Sequence, residues 1–258
     1  MNAATLGIVD ASVRASGRVL LGPVSAEFAG GALVGLAGPN GAGKSTLLRA
    51  LAGLARVDSG VVRLAGSDLA TLPRLTVARS VAFVAQATSF ELPFSVRDVV
   101  AMGRYPTGDG DTTAGKRAVD DAIIRLGLGT FADRPVTTLS GGERQRVALA
   151  RAVATGAPIW LLDEPTAALD LHFTFEFWDL VEAHTRAGGL VIVSHHDLDT
   201  LRRRVTRALL LKDGRVVADG LPQEALSPDP IAAAFGVHAT VVSTAHGDFL
   251  SFSRREEG

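Results

Sequence analysis

Gly38-Pro39-Asn40-Gly41-Ala42-Gly43-Lys44-Ser45 decides the fold, because it matches G-x-x-x-x-G-K-[ST] and stands between two recognisable elements. Ahead of it, Leu33–Ala37 reads as a short apolar strand. Behind it, Ser45–Ala52 carries Leu47, Leu48 and Leu51 at helical spacing, with Gly53 placed to end the helix. Strand, glycine-rich turn and helix in that order make a phosphate-binding loop. The glycines let backbone N–H groups turn inward on phosphate oxygens, and the helix N-terminus adds partial positive charge. Lys44 then reaches the β- and γ-phosphates of a nucleotide, while Ser45 Oγ ligates Mg2+. The contact set predicted here is Gly38, Asn40, Gly41, Ala42, Gly43, Lys44, Ser45 and Thr46.

Outward from the loop, short apolar strands alternate with helices. Leu6–Val13 and Val24–Phe28 read as strands, with turns at Ser16-Gly17 and Gly30-Gly31; Val61–Leu64 and Val81–Val84 follow. Between Gln86 and Ser140 the pattern turns helical, at Val96–Gly103 and Lys116–Leu126, around a polar break at Gly108-Asp109-Gly110-Asp111. Alternation resumes with buried strands at Ile159–Leu162 and Leu190–Val193. Shorter ones at Ala208–Leu211 and Val216–Ala218 are joined at Asp213-Gly214, and the tail from Pro222 holds a short helix and a final hairpin.

The strand ends carry the chemistry. Asp163 and Glu164 follow the apolar run Ile159-Trp160-Leu161-Leu162, so both carboxylates emerge at the C-terminal edge of a parallel strand, where open α/β sheets bind ligands. Asp163 can hold Mg2+ through its coordination shell, and Glu164 is the candidate general base for the water that attacks the γ-phosphate. Gln86 closes the Val81–Ala85 strand, where its amide can touch Mg2+ or that water. His196 stands at a third strand end and can contact the γ-phosphate, with His195 beside it as the rival. A second glycine pair, in Leu139-Ser140-Gly141-Gly142-Glu143, opens another helix. Ser140 Oγ and the N–H groups of Gly141 and Gly142 offer a second anion site by the same physics, or Ser140 simply caps the helix.

Composition narrows the classes. The 258 residues suffice for one large domain, and 47% are hydrophobic, enough for a buried core. A formal net charge of −1 gives no bulk electrostatic case for binding nucleic acid. There is no cysteine, which excludes disulfides and thiolate metal sites. Met1–Asp10 lacks the basic start and apolar core of a secretory leader, and no apolar run reaches the ~20 residues that cross a bilayer. The reading is a soluble chain in the cytoplasm. His172, His184, His238 and His246 show no metal-ligand spacing.

The order of phosphate loop, Gln86, Leu139-Ser140-Gly141-Gly142-Glu143, acidic pair, Ala168-Leu169-Asp170 and His196 resembles the ATP-binding cassette (ABC) ATPases over roughly residues 5–220. Within that comparison the spacing to Lys212-Asp213-Gly214 favours His196 over His195. The resemblance implies an α/β P-loop NTPase of ABC type: a RecA-like parallel-sheet core, an N-terminal antiparallel β subdomain and an inserted helical subdomain. The chain then divides as one domain over 1–258, with the helical subdomain at 87–139 continuing into the signature helix 140–155, and a C-terminal extension at 222–258. Two copies would close head to tail around two ATP, Ser140, Gly141 and Gly142 of each meeting the other's nucleotide, with Asp170 coupling the two sites. Phe94–Pro106, Ala167–His172 and Phe235-Gly236-Val237 are further similar to ATPase subunits of importers for haem, ferric siderophores or cobalamin. This implies a homodimer, permease subunits docked on the helical subdomain, an external substrate-binding protein acting indirectly, and a place on the cytoplasmic face of the inner membrane. Alternatives are a zinc or manganese importer, an exporter, or a soluble ABC switch protein. The family also places an aromatic side chain near its start to stack on adenine. Val13–Arg18 has none, and the guanidinium of Arg14 or Arg18 is the substitute.

Overall fold

Five consecutive residues are buried at Leu33–Ala37, at Ile159–Asp163 and at Leu190–Ser194, which requires strands covered on both faces. The computed structural model describes residues 4–86, 90–245 and 247–254. In chain order its first half runs β1 (Thr5–Ala15), β2 (Arg18–Ala29), β3 (Leu33–Ala37), α1 (Lys44–Leu51), β4 (Ser59–Leu64), β5 (Ser67–Asp68), α2 (Arg74–Ser80), β6 (Val81–Val84), α3 (Val96–Ala101) and α4 (Thr113–Arg125). There follow α5 (Gly141–Thr155), β7 (Ile159–Asp163), α6 (Leu171–Arg186), β8 (Leu190–Ser194), α7 (Leu198–Arg204), β9 (Arg207–Lys212), β10 (Arg215–Gly220), α8 (Pro222–Ala225), α9 (Pro228–Phe235), β11 (Val237–Thr244) and β12 (Gly247–Arg254).

The main sheet has the order β10-β9-β3-β8-β7-β6. Neighbours pair in parallel except β10, which returns antiparallel on β9. β8 and β9 lie on opposite sides of β3, so the strand order switches direction there, and the C-terminal ends of β3, β6, β7 and β8 share one edge. A second sheet, β2-β1-β4-β5, is antiparallel. The period-2 alternation divides the core: Val34, Leu36, Ile159 and Leu161 join Leu47, Leu48 and Leu51 of α1 and the inner face of the antiparallel sheet. Leu33, Trp160, Leu162 and Val193 pack instead with α3, α4, α5 and the Phe177–Val181 stripe of α6. The helix that follows the phosphate loop is thereby clamped between two sheets. The α/β class, parallel core and antiparallel β layer are as read from the sequence.

Local boundaries differ where turn chemistry outweighs pattern. β2 runs from Arg18, eleven residues before Ala29, through Gly22 and Pro23. Proline is tolerated because β2 is an edge strand. Helix α4 begins at Thr113 rather than near Lys116, since Thr112 Oγ1 accepts the Gly115 N–H at 3.0 Å and caps it. α3 stops at Ala101 and tightens into a 3-10 turn at Met102–Arg104. Residues 87–89, the start of the expected helical subdomain, lie outside the described residues, as does His246. No helix among the described residues is long and apolar enough to cross a membrane.

Candidate active site

β3 delivers its C-terminal end into the glycine-rich loop, and α1 starts at Lys44 with no side-chain cap. Its first N–H groups, at Lys44, Ser45 and Thr46, have no carbonyl one turn back within the helix, so they remain donors for an anion. Gly38 has φ +145°, and a Cβ there would lie 2.3 Å from the Leu211 carbonyl oxygen. Only glycine lets the loop lie this close to β9. Lys44 is buried, and its Nζ donates to the carbonyls of Gly38 at 2.7 Å and Pro39 at 3.2 Å. Burial pulls its pKa down, and the charges of Glu164 and Asp163 oppose that shift. The amine thus folds back on the loop while facing the acidic pair.

Asp163 is 2% exposed at the end of β7. Its Oδ1 accepts the Ser194 hydroxyl at 2.7 Å, and the same hydroxyl accepts the Glu164 N–H at 2.9 Å. Glu164 sits at φ +44°, a left-handed conformation that costs a non-glycine residue about 1–3 kcal/mol and persists only where its surroundings over-determine it. Its Oε2 accepts from Gln86 Nε2 at 2.7 Å, which joins the end of β6 to the end of β7. A cavity of about 390 Å3 is bounded by Asn40, Gly41, Ala42, Gly43, Lys44, Ser45, Thr46, Gln86 and Glu164, with Leu20 of β2 completing the wall.

Ser45, Gln86 and Asp163 suit Mg2+ in donor chemistry, since all three offer oxygen. Oδ1 of Asp163 is taken by Ser194, and Oδ2 has no hydrogen-bond partner among the described residues. No group of three or more His, Cys, Asp or Glu side chains able to hold a metal occurs among the described residues.

The sequence-predicted residues do not all meet. Ser140, Gly141, Gly142, Asp170 and His196 do not border the phosphate-loop cavity, and neither do the buried Gly38 and Asp163. Ser140 caps α5: its Oγ accepts the Glu143 N–H at 3.3 Å, and its own N–H donates to Glu143 Oε2 at 2.6 Å. That bond, foremost, holds the Glu143 pKa below its ordinary value. The N–H groups of Gly141 and Gly142 stay outside this reciprocal pair. A Cβ on Gly142 would lie 2.7 Å from the Ala168 carbonyl oxygen, whereas one on Gly141 would meet nothing within 4 Å. Glycine at 142 is a packing requirement; at 141 the fold asks for none. Arg146, one turn into α5, lies 3.8 Å over the Phe173 ring, and Asp170 Oδ1 accepts the Phe173 N–H at 2.9 Å to cap α6. The Ser140 turn and Asp170 are therefore built into one ridge.

The two histidines separate. His195 is buried, its Nδ1 accepts the Asp197 N–H at 3.0 Å, and Nε2 faces Thr166 Oγ1 at 3.0 Å. Burial foremost lowers its pKa, so it is a neutral framework group with its proton on Nε2. His196 is exposed and lines a second cavity of about 630 Å3, with Leu171, Phe175, Trp178 and Arg203. None of residues 13–18 borders the phosphate-loop cavity; the neighbouring Leu20 does. Sequence reading missed both Leu20 and Ser194. In the sequence Ser194 shows only as a polar residue closing an otherwise apolar strand; the β7–β8 register is what sets it beside Asp163.

The family model for ABC transporter matches residues 21–167, which span the phosphate loop, the Ser140 turn and the acidic pair. The chain belongs to the ABC transporter family. This ABC transporter chain is 45% identical over 242 residues to the cobalamin import ATP-binding protein BtuD of Halobacterium salinarum, covering 92% of this chain and 60% of that protein. It therefore spans less than two thirds of that relative's length. It is also 45% identical over 215 residues to the hemin import ATP-binding protein HmuV of Streptomyces coelicolor, covering 82% of this chain and 76% of that one. Among solved structures it superposes on a chain of a metal-chelate type ABC transporter in an inward-facing conformation, with TM-score 0.79, 26% identity and 97% of each chain covered.

Proposed function

We propose that this chain is the ATP-hydrolysing subunit of a membrane importer, that two copies close head to tail over two ATP, and that the cargo is haem, an iron chelate or cobalamin. One observation carries the reading. Lys44, Gln86 and Glu164 face one another across the phosphate-loop cavity, while the glycine-opened end of α5 lies outside it. A phosphate-ready helix end away from its own loop suits the loop of a second copy.

In this reading the loop and Lys44 hold the triphosphate. Glu164 takes the proton from the attacking water as general base, and Gln86 moves off its carboxylate to let that water in. Mg2+, held by Ser45, Gln86 and Asp163, would neutralise charge gathering on the phosphate oxygens. His196 contacts the γ-phosphate once the dimer closes, and Asp170 links the two sites. Residues 87–139 form the helical subdomain that receives the permease, leading into the signature helix 140–155. Residues 222–258 form an extension. The working assembly sits on the cytoplasmic face of the membrane, with a substrate-binding protein outside and no nucleic acid involved. The cargo class rests on the named import relatives and on Phe94–Pro106.

Phosphate release by the purified chain with MgATP tests this. Glu164→Gln removes the base, so turnover falls by about 10²–10⁴-fold, and an ATP-bound dimer accumulates in size-exclusion chromatography. Unchanged turnover in this variant refutes Glu164 as the base.

A further inference from the structure

Ser194 is fully buried at the end of β8, in register beside Asp163. A serine in that place has two duties, and the partners fix which way each bond runs. An ionised carboxylate only accepts and an amide N–H only donates. The hydroxyl therefore gives its proton to Asp163 Oδ1, at 2.7 Å, and receives the Glu164 N–H, at 2.9 Å. The first bond fixes the orientation of a buried carboxylate and leaves Oδ2 available. The second anchors the peptide of a residue held at φ +44°, a conformation that needs such support. Alanine at 194 would remove both bonds at once.

We infer that Ser194 is the positioning residue of this site, aligning the carboxylate that holds Mg2+ and the peptide that carries the base. The inference rests on the ATPase reading above. Groups that orient a metal's ligands typically contribute 10–100-fold to its affinity when removed singly. A serine that merely satisfied buried polar groups would instead change thermal stability without singling out the metal.

The test is binding of a fluorescent ATP analogue to Ser194→Ala, in EDTA and across a Mg2+ titration, beside the wild-type chain. Affinity in EDTA should be unchanged, because the phosphate loop and Lys44 are untouched. The Mg2+ concentration that gives half the metal-dependent gain should rise about tenfold or more. Ser194→Thr, which keeps a hydroxyl, should bring it back. The inference is overturned if the Mg2+ midpoint stays at the wild-type value, or if affinity in EDTA drops by the same factor as affinity in Mg2+. Should Ser194→Ala fail to melt cooperatively, Ser194→Cys, nearly equal in volume and a weak donor, is read by the same two criteria. A wild-type chain that binds no nucleotide would sink the ATPase reading itself, and Ser194's role with it.

Discussion

Replacing Gly141 with alanine separates what the isolated chain requires from what its proposed dimer requires. In the structure a Cβ at 141 has open space around it, at the first position of α5. Alanine is the better helix former, and such a change stabilises by about 0.4–1 kcal/mol where the backbone conformation suits it. For a chain of this size that amounts to a melting-temperature rise of about 1–4 °C. Turnover should move the opposite way. If the end of α5 donates its N–H groups to the other copy's phosphate, the new methyl stands where that phosphate must approach. Losing one such donor contact costs about 10²–10³ in rate, so phosphate release should fall by at least tenfold. The neighbouring glycine is the control: a Cβ at 142 lies 2.7 Å from the Ala168 carbonyl oxygen, and overpacking of that kind costs about 1–3 kcal/mol. Gly142→Ala should therefore melt several degrees lower. Differential scanning fluorimetry and steady-state phosphate release read both effects. A Gly141→Ala chain that turns over at the wild-type rate would refute phosphate contact at this helix end.

Two further expectations follow from the geometry. Ser140→Arg places a long cation at the cap of α5, away from the phosphate-loop cavity; turnover should be abolished while nucleotide binding by the monomer persists, and equal loss of both would contradict the two-copy site. Asp109, bonded by Arg104 and then Thr107, is pulled from 3.8 to about 2, so its contribution to stability is complete above the unfolded value and lost as pH falls through the folded one. Asp109→Asn should accordingly melt below wild type at neutral pH, with the gap closing between about pH 4 and pH 2; a gap independent of pH would show that the ion pair is not its source.

Much of the site was legible because its parts are local. A phosphate loop is contiguous, and Gln86 and Glu164 each follow an apolar run whose length betrays a buried strand. The capping box at Ser140 and Glu143 is likewise a spacing rule. What escaped depends on pairing between distant segments. Ser194 gains its role only because β8 lies beside β7 and sets it opposite Asp163. Leu20 reaches the cavity only because β2 extends back past Pro23 to Arg18, whereas the sequence pattern begins that strand at Val24. The histidine pair is similar: two adjacent residues differ completely in burial, and only the tertiary packing of His195 on Thr166 and Trp178 decides which faces inward.

Helix α5 shows how these local and distant features combine. Its fifteen residues span about 22 Å at 1.5 Å per residue. At the C-terminal end Arg104 donates to the carbonyls of Ala154 at 2.7 Å and Thr155 at 3.1 Å, while the same guanidinium grips Asp109. Positive charge there complements the helix dipole, and Gly103 packs so tightly on the Arg151 carbonyl that a Cβ would lie 2.4 Å from it. At the other end stand Ser140 and, through Arg146 and Phe173, the turn that holds Asp170. A packed helix moves as a unit rather than bending to absorb a small push. In the proposed importer, a permease pressing on Phe94–Pro106 would thus displace the Ser140 turn and Asp170 together. That geometry favours concerted closure of the two ATP sites over independent motion of either element.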